Sequence, residues 1–75
     1  MDTDSNSQLL VLKFDKQELK LLELIADGLT NEQIADRIFK GKRTVEGMRK
    51  MLLSKTSSKN TAALMAFAFR TRLLI

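Results

Sequence analysis

The chain has 75 residues, a length suited to one small domain, and carries 13 basic and 9 acidic side chains. It contains no cysteine and no histidine, which excludes disulfide staples and Cys/His zinc sites, and no apolar run approaches the roughly 20 residues needed to span a bilayer. The charge is polarised: residues 1–39 hold four basic and eight acidic groups (net −4), residues 40–59 hold seven basic groups against Glu46 alone (net +6), and Arg70 and Arg72 follow. Such a chain is suited to meeting a polyanion with one segment; the plainer alternative is a basic face that is merely solvated.

The N-terminus opens with Asp2, Asp4 and Ser5, without the basic start of a secretory signal. Residues 1–13 read as a tail or a linker remnant and residues 14–75 as the domain. Within the boundary region, Leu9 to Phe14 fits either a short extended segment packed back on the helices or the end of a linker. The first helix is announced by Asp15 with Glu18 three residues later, a capping-box pattern. Leu19, Leu22, Ile25 and Ala26 recur at helical spacing as its expected buried face, and Gly28 supplies a left-handed residue to end it. Thr30 with Gln33 repeats the box for a short second helix whose inner stripe is Ile34, Ala35 and Ile38. That helix is expected to run out at Lys40-Gly41, with Gly41 a turn residue or a weak N-cap.

The third helix is expected from about Lys42 to Lys55. On a 100° wheel Val45, Met48 and Leu52 fall on one side, and Arg43, Glu46, Gly47, Lys50 and Ser54 on the other. Arg49 falls at the edge of the buried side, where it suits either an ion pair with a carboxylate of the first helix, such as Glu18, or a phosphate contact. Thr56-Ser57-Ser58 breaks the pattern, and Asn60 caps a fourth helix with the apolar run Ala62 to Phe69. Leu64, Met65, Phe67 and Phe69 are too many for one face, so part of them is read as core and part as a dimer surface drawn from Met65, Phe67 and Phe69, with a purely core role as the alternative. The expected class is all-α: four helices with a helix-turn-helix.

Two short helices joined by a tight turn, the second basic on its outer face, make a helix-turn-helix. The crossing needs a small residue inside the first helix and a β-branched residue locking the second against it. Ala35 and Val45, ten positions apart, meet that need.

Three stretches sharpen the reading: Glu18 to Asn31, Gln33-Ile34-Ala35, and Arg43-Thr44-Val45-Glu46-Gly47-Met48-Arg49. With Asn60-Thr61-Ala62 and Leu73-Leu74-Ile75, they resemble the DNA-binding domain of the LuxR/GerE family, the effector half of many two-component response regulators. The Thr-Val-Glu-Gly version is similar to that of Bacteroidetes-type bacteria. The resemblance implies that the third helix enters the major groove and that the fourth forms the dimer contact. By position it places Glu46, Gly47 and Lys50 at base edges, and Lys42, Arg43 and Thr44 near the phosphate backbone. Thr30 and Asn31 would lie at a helix N-terminus able to bind a phosphate, although Asn31 fits equally a role in shaping the entry to its helix. Lys55 and Lys59 would extend the phosphate contacts, and Ser54 lies on the same outer face. Departures from the family pattern are Gly41 for a Ser cap, Glu46 for a Lys, Met48 for a His, Thr56 for an apolar residue, Ser57-Ser58 for Gly-Val, and Arg72 for a helix-ending Gly. The last leads to the expectation that the fourth helix runs on.

The expected function is sequence-specific binding to double-stranded DNA by a bacterial transcriptional regulator, working as a homodimer in the cytoplasm and at the nucleoid when bound. The alternative is the same fold used as a protein-interaction module without DNA contacts. An N-terminal receiver domain in a longer parent protein and RNA polymerase are further candidate partners; a free-standing small regulator fits as well. No enzyme, cofactor, metal or membrane role is expected, since a chain without His, Cys, paired apolar-set carboxylates or a Gly-rich phosphate loop lacks the usual parts of a catalytic site.

Overall fold

The computed structural model describes residues 13–74. The expected tail therefore lies outside the described residues except for Lys13, as do Leu9 to Leu12 of the apolar stretch and Ile75. The described residues form four helices and no strand: α1 (Lys16–Ala26), α2 (Asn31–Ile38), α3 (Lys42–Lys55) and α4 (Thr61–Arg70). The all-α reading holds.

Each N-terminus is fixed as its local sequence dictates. At α1 the Glu18 amide donates to Asp15 Oδ1 (2.8 Å), and the Asp15 amide donates to Glu18 Oε1 (2.9 Å). At α2 the Gln33 amide donates to Thr30 Oγ1 and the Thr30 amide to Gln33 Oε1. At α4 the Ala63 amide donates to Asn60 Oδ1. Gly41 is the N-cap of α3 and offers no side-chain acceptor, so this helix alone starts with all its first amides unserved by a cap side chain.

The C-termini of α1 and α3 fall where expected, and those of α2 and α4 do not. Gly28 ends α1 at φ 86°, as its lack of a Cβ allows. Three other left-handed positions are filled by residues with side chains: Phe39 (φ 58°), Ser57 (φ 54°) and Arg72 (φ 63°). Phe39 stops α2 one residue earlier than Lys40-Gly41, and the Lys40 amide then bonds back to the Ala35 carbonyl at 3.0 Å. Arg72 adopts the conformation a glycine would have had, so α4 ends at Arg70 and does not run on. Around Ser57, the Thr56 hydroxyl donates to the Leu52 carbonyl and shares a 2.7 Å bond with Ser58 Oγ. A polar residue is thereby accommodated where the resemblance implied an apolar one.

The core consists of Leu21, Leu22, Leu24, Ile25, Ile34, Ala35, Val45, Leu52, Leu64 and Ala68. Helix α1 meets each of the other three and therefore buries a wider arc than one stripe. Leu21 and Leu24 join Leu22 and Ile25 inside, Leu19 is half-buried, and Ala26, expected inside, is exposed. Ala35 and Val45 are both buried between α2 and α3, the most extensive helix pair. Phe14 packs its ring 6.4 Å from that of Phe67. No helix among the described residues is long and apolar enough to cross a membrane.

Candidate nucleic-acid interface

Helix α3 separates its basic residues onto two sides. Lys42, Arg43, Thr44, Glu46, Gly47, Lys50 and Ser54 are all exposed. None of the charged ones forms an ion pair among the described residues. Glu46 could have reached Lys42 or Lys50 one turn away, yet neither pair is closed. The outer face thus presents its ammonium and guanidinium groups to solvent, with one carboxylate among them. Gly47 sits in the middle of this face, and a Cβ built there would meet nothing within 4 Å. The absence of a side chain is therefore not imposed by packing, although an interior helical glycine costs about 0.8–1 kcal/mol relative to alanine. It makes the centre of the outer face low.

The inward flank behaves differently. Arg49 and Lys55 are half-buried. Arg49 does not pair with Glu18; its Nη1 donates to Asn31 Oδ1 (3.0 Å) and its Nη2 to Thr61 Oγ1 (2.8 Å). Glu18 is instead taken by Lys55, whose Nζ lies 3.0 and 3.2 Å from the two carboxylate oxygens. Lys55 also donates to the Lys13 carbonyl and lies 4.6 Å above the Phe14 ring centroid. Lys55, expected to extend the phosphate contacts, is thus committed within the chain. The reason is positional: the last turn of α3 passes the start of α1, where the capping box has already fixed the Glu18 carboxylate. The wheel placed Arg49 at the edge of the buried side but could not tell which neighbour it would meet, and Lys55 was expected outside, among the phosphate contacts.

Thr30 is exposed and Asn31 half-buried. The capping box occupies the Thr30 and Gln33 amides, while those of Asn31 and Glu32 have no partner among the described residues. Lys59 is exposed in the turn before α4. The outer face of α3, the start of α2 and Lys59 are distinct parts of the surface contributed by three segments of chain.

On α4 the expected dimer residues divide. Met65 is half-buried against the core, Phe67 is half-buried beside Phe14, and Phe69 is exposed at 49%. Phe69 shares the outward side with Ala62 and Arg70. The sequence reading did not single out Phe39, 92% exposed in the turn, or Met51, 71% exposed on α3. Met51 falls about 40° from Gly47 on the helical wheel, a placement the spacing alone could have revealed.

A tight α2–α3 hairpin whose second helix is basic on its outer face, with no ion pair there among the described residues, has the form of a helix-turn-helix. Residues 13–68 match the family described as bacterial regulatory proteins, luxR family. The chain belongs to that family. It is a helix-turn-helix domain of DNA binding and transcription regulation. Among its relatives, the oxygen regulatory protein NreC of Staphylococcus aureus (strain JH9) is 36% identical over 59 residues, covering 79% of this chain and 27% of the relative. NreC of Staphylococcus haemolyticus (strain JCSC1435) is 33% identical over 73 residues, covering 97% of this chain and 33% of the relative. The chain spans about a quarter to a third of the length of these curated relatives. No solved structure matches.

Proposed function

We propose that this LuxR-family domain reads double-stranded DNA with the outer face of α3 in the major groove, as the effector part of a bacterial transcriptional regulator acting in the cytoplasm. The observation that carries the reading is the exposed set Lys42, Arg43 and Lys50, without an ion-pair partner among the described residues, around the open centre at Gly47. Lys42, Arg43 and Thr44 lie at the first turn of α3, where they meet the phosphate backbone. Glu46, Gly47 and Lys50 follow at base edges, with Ser54 one turn on. The free amides at Asn31 and Glu32, the Thr30 hydroxyl and Lys59 supply further backbone contacts. Lys55 is left out of this set, because its ammonium is held by Glu18.

Two copies are proposed to pair through the outward side of α4, centred on Phe69 with Ala62, while Phe67 and Met65 serve chiefly the core. The relatives' greater length supports a further N-terminal domain, such as a receiver, in a longer parent protein, and RNA polymerase is a candidate partner of the bound regulator.

Glu46 sharpens the reading. A carboxylate facing DNA is repelled by phosphates, and no ion pair among the described residues neutralises it. Its compensation is acceptance of a hydrogen bond from cytosine N4, a contact that discriminates by about 1–3 kcal/mol when well made. In vitro selection of DNA with the purified chain should enrich a motif with two-fold symmetry. Repeated with Glu46→Ala, it should show higher affinity for random DNA and a lost cytosine preference at one position. An unaltered base profile removes Glu46 from base reading; no enrichment with the parent chain favours a protein-interaction module.

A further inference from the structure

Arg49 is an unusual choice for the place it occupies. Its guanidinium is half-buried and satisfied by two neutral oxygens, with no carboxylate paired to it among the described residues. Asn31 and Thr61 are each the first residue of their helix, α2 and α4, so the cation sits beside two positive helix ends. That is an unfavourable place for a positive charge. Stability alone would be served as well by a neutral or apolar side chain. The guanidinium offers what those lack: a planar fork whose two arms hold two partners at a fixed mutual angle.

The fork spans three helices with different duties. Helix α3 carries the reading residues, α2 supports them, and α4 carries the outward side centred on Phe69. Between helices, the side-chain hydrogen bonds among the described residues are those of Arg49 to α2 and α4 and that of Lys55 to α1. The Arg49–Thr61 arm is therefore the polar tie between the reading helix and α4.

We propose that Arg49 is a positioning residue that fixes the angle of α4 against the reading helix, and through it the spacing at which two copies read DNA. The inference rests on the proposed pairing through α4. Geometry makes the angle matter. Two helix-turn-helix units on one duplex lie roughly 34 Å apart, and successive bases are roughly 3.4 Å apart. A tilt of α4 by about 6° displaces the second unit by about one base step over that span. Apolar packing by Leu52, Leu64 and Ala68 keeps α4 in place, but such contacts are non-directional and set its angle less sharply than a two-armed hydrogen bond.

The test uses the 75-residue chain, duplexes carrying one selected half-site, and duplexes carrying two half-sites at a series of spacings. Thr61→Val removes one arm and leaves the charge of Arg49; Arg49→Met removes both arms; Thr61→Ser keeps the hydroxyl. The expected result for Thr61→Val is a folded dimer by circular dichroism and sedimentation, with single-half-site affinity within about threefold of the parent. Its preference for one spacing over its neighbours should fall at least about tenfold, and Thr61→Ser should retain the parent's preference. Arg49→Met should behave like Thr61→Val.

A Thr61→Val chain with the parent's sharp spacing preference overturns the role of Arg49 while leaving the paired reading intact. A parent chain that is monomeric on two half-sites and indifferent to spacing overturns the pairing and this inference together. If Arg49→Met weakens single-half-site binding on every sequence and lowers the salt slope by about one, while Thr61→Val does neither, Arg49 is a phosphate contact and the positioning role fails.

Discussion

The two sides of α3 use the same residue types to opposite ends. On the outer face Lys42, Arg43 and Lys50 are exposed and have no ion-pair partner among the described residues. On the inward flank Arg49 and Lys55 are half-buried and held by α1, α2 and α4. A count of lysines and arginines treats all five alike. The structure divides them into groups left exposed without an ion-pair partner among the described residues, which are the proposed DNA contacts, and groups spent on holding the helix that presents them. A basic segment thus overstates its binding surface by whatever part of it is internal bracing, and the helical angle of each residue decides to which side it belongs.

The division predicts separate responses. The largest belongs to the outer face. Lys50→Ala should cost about 1–3 kcal/mol of binding to the selected site, the range of a well-made base contact, and leave the melting temperature unchanged. A fall in melting temperature with unaltered affinity would reverse the assignment of the two sides. Next is the inward flank. Lys55→Met removes a partly screened ion pair and a cation–π contact, so it should cost about 1 kcal/mol of stability and lower Tm by roughly 4–8 °C. Its salt dependence of DNA binding should keep the parent's slope; a slope reduced by about one would return Lys55 to the phosphate contacts.

Gly47 sharpens the comparison from within the outer face. Gly47→Ala should raise stability by about 0.8–1 kcal/mol, since the added methyl meets open space and alanine favours the helix. The same methyl should reduce affinity for the selected site by standing between helix and bases. A variant that gains both stability and affinity would show that the low centre of the face is not used for approach. The smallest effect is expected at Gly41→Ser, where a hydroxyl supplies the missing cap. Thermal melts should rise by the equivalent of a few tenths of a kcal/mol, with binding little changed.

Legibility in the sequence followed the range of the interaction. Asp15 with Glu18, Thr30 with Gln33, and Asn60 act across three residues, and each cap was read correctly because both partners are visible in one short window. The Ala35–Val45 crossing was also accessible, since the turn fixes which residues of two adjacent helices meet. The burial of Leu21 and Leu24 was missed because a wheel assumes one covered side, and α1 is covered by three helices. The partners of Arg49 and Lys55 were missed for a related reason. They lie 12 to 37 residues away, and spacing on one helix does not say which other helix arrives. The turns at Phe39, Ser57 and Arg72 were hidden by residue type: a left-handed backbone is ordinarily signalled by glycine, and here the rest of the fold imposes it on side-chain-bearing residues at a cost of about 1–2 kcal/mol each. Among the interface candidates, the exposed face of α3 followed from periodicity, whereas the place of Phe67 beside Phe14 did not, because Phe14 lies outside any helical pattern.

Glu18 joins two events that belong to different times in folding. Its carboxylate closes the box with Asp15 across three residues and grips Lys55 across 37. The first contact can form as α1 nucleates, on the timescale of helix–coil relaxation, about 0.1–1 μs. The second must wait until the ends of a long loop have met, after the entropy of closing it has been spent. The carboxylate that helps start α1 is therefore already held in place when α3 docks, so the late contact closes onto an ordered group rather than a mobile one. This order of events makes the start of α1 the place where α1 and the last turn of α3 are joined late, onto a group that local structure has already set.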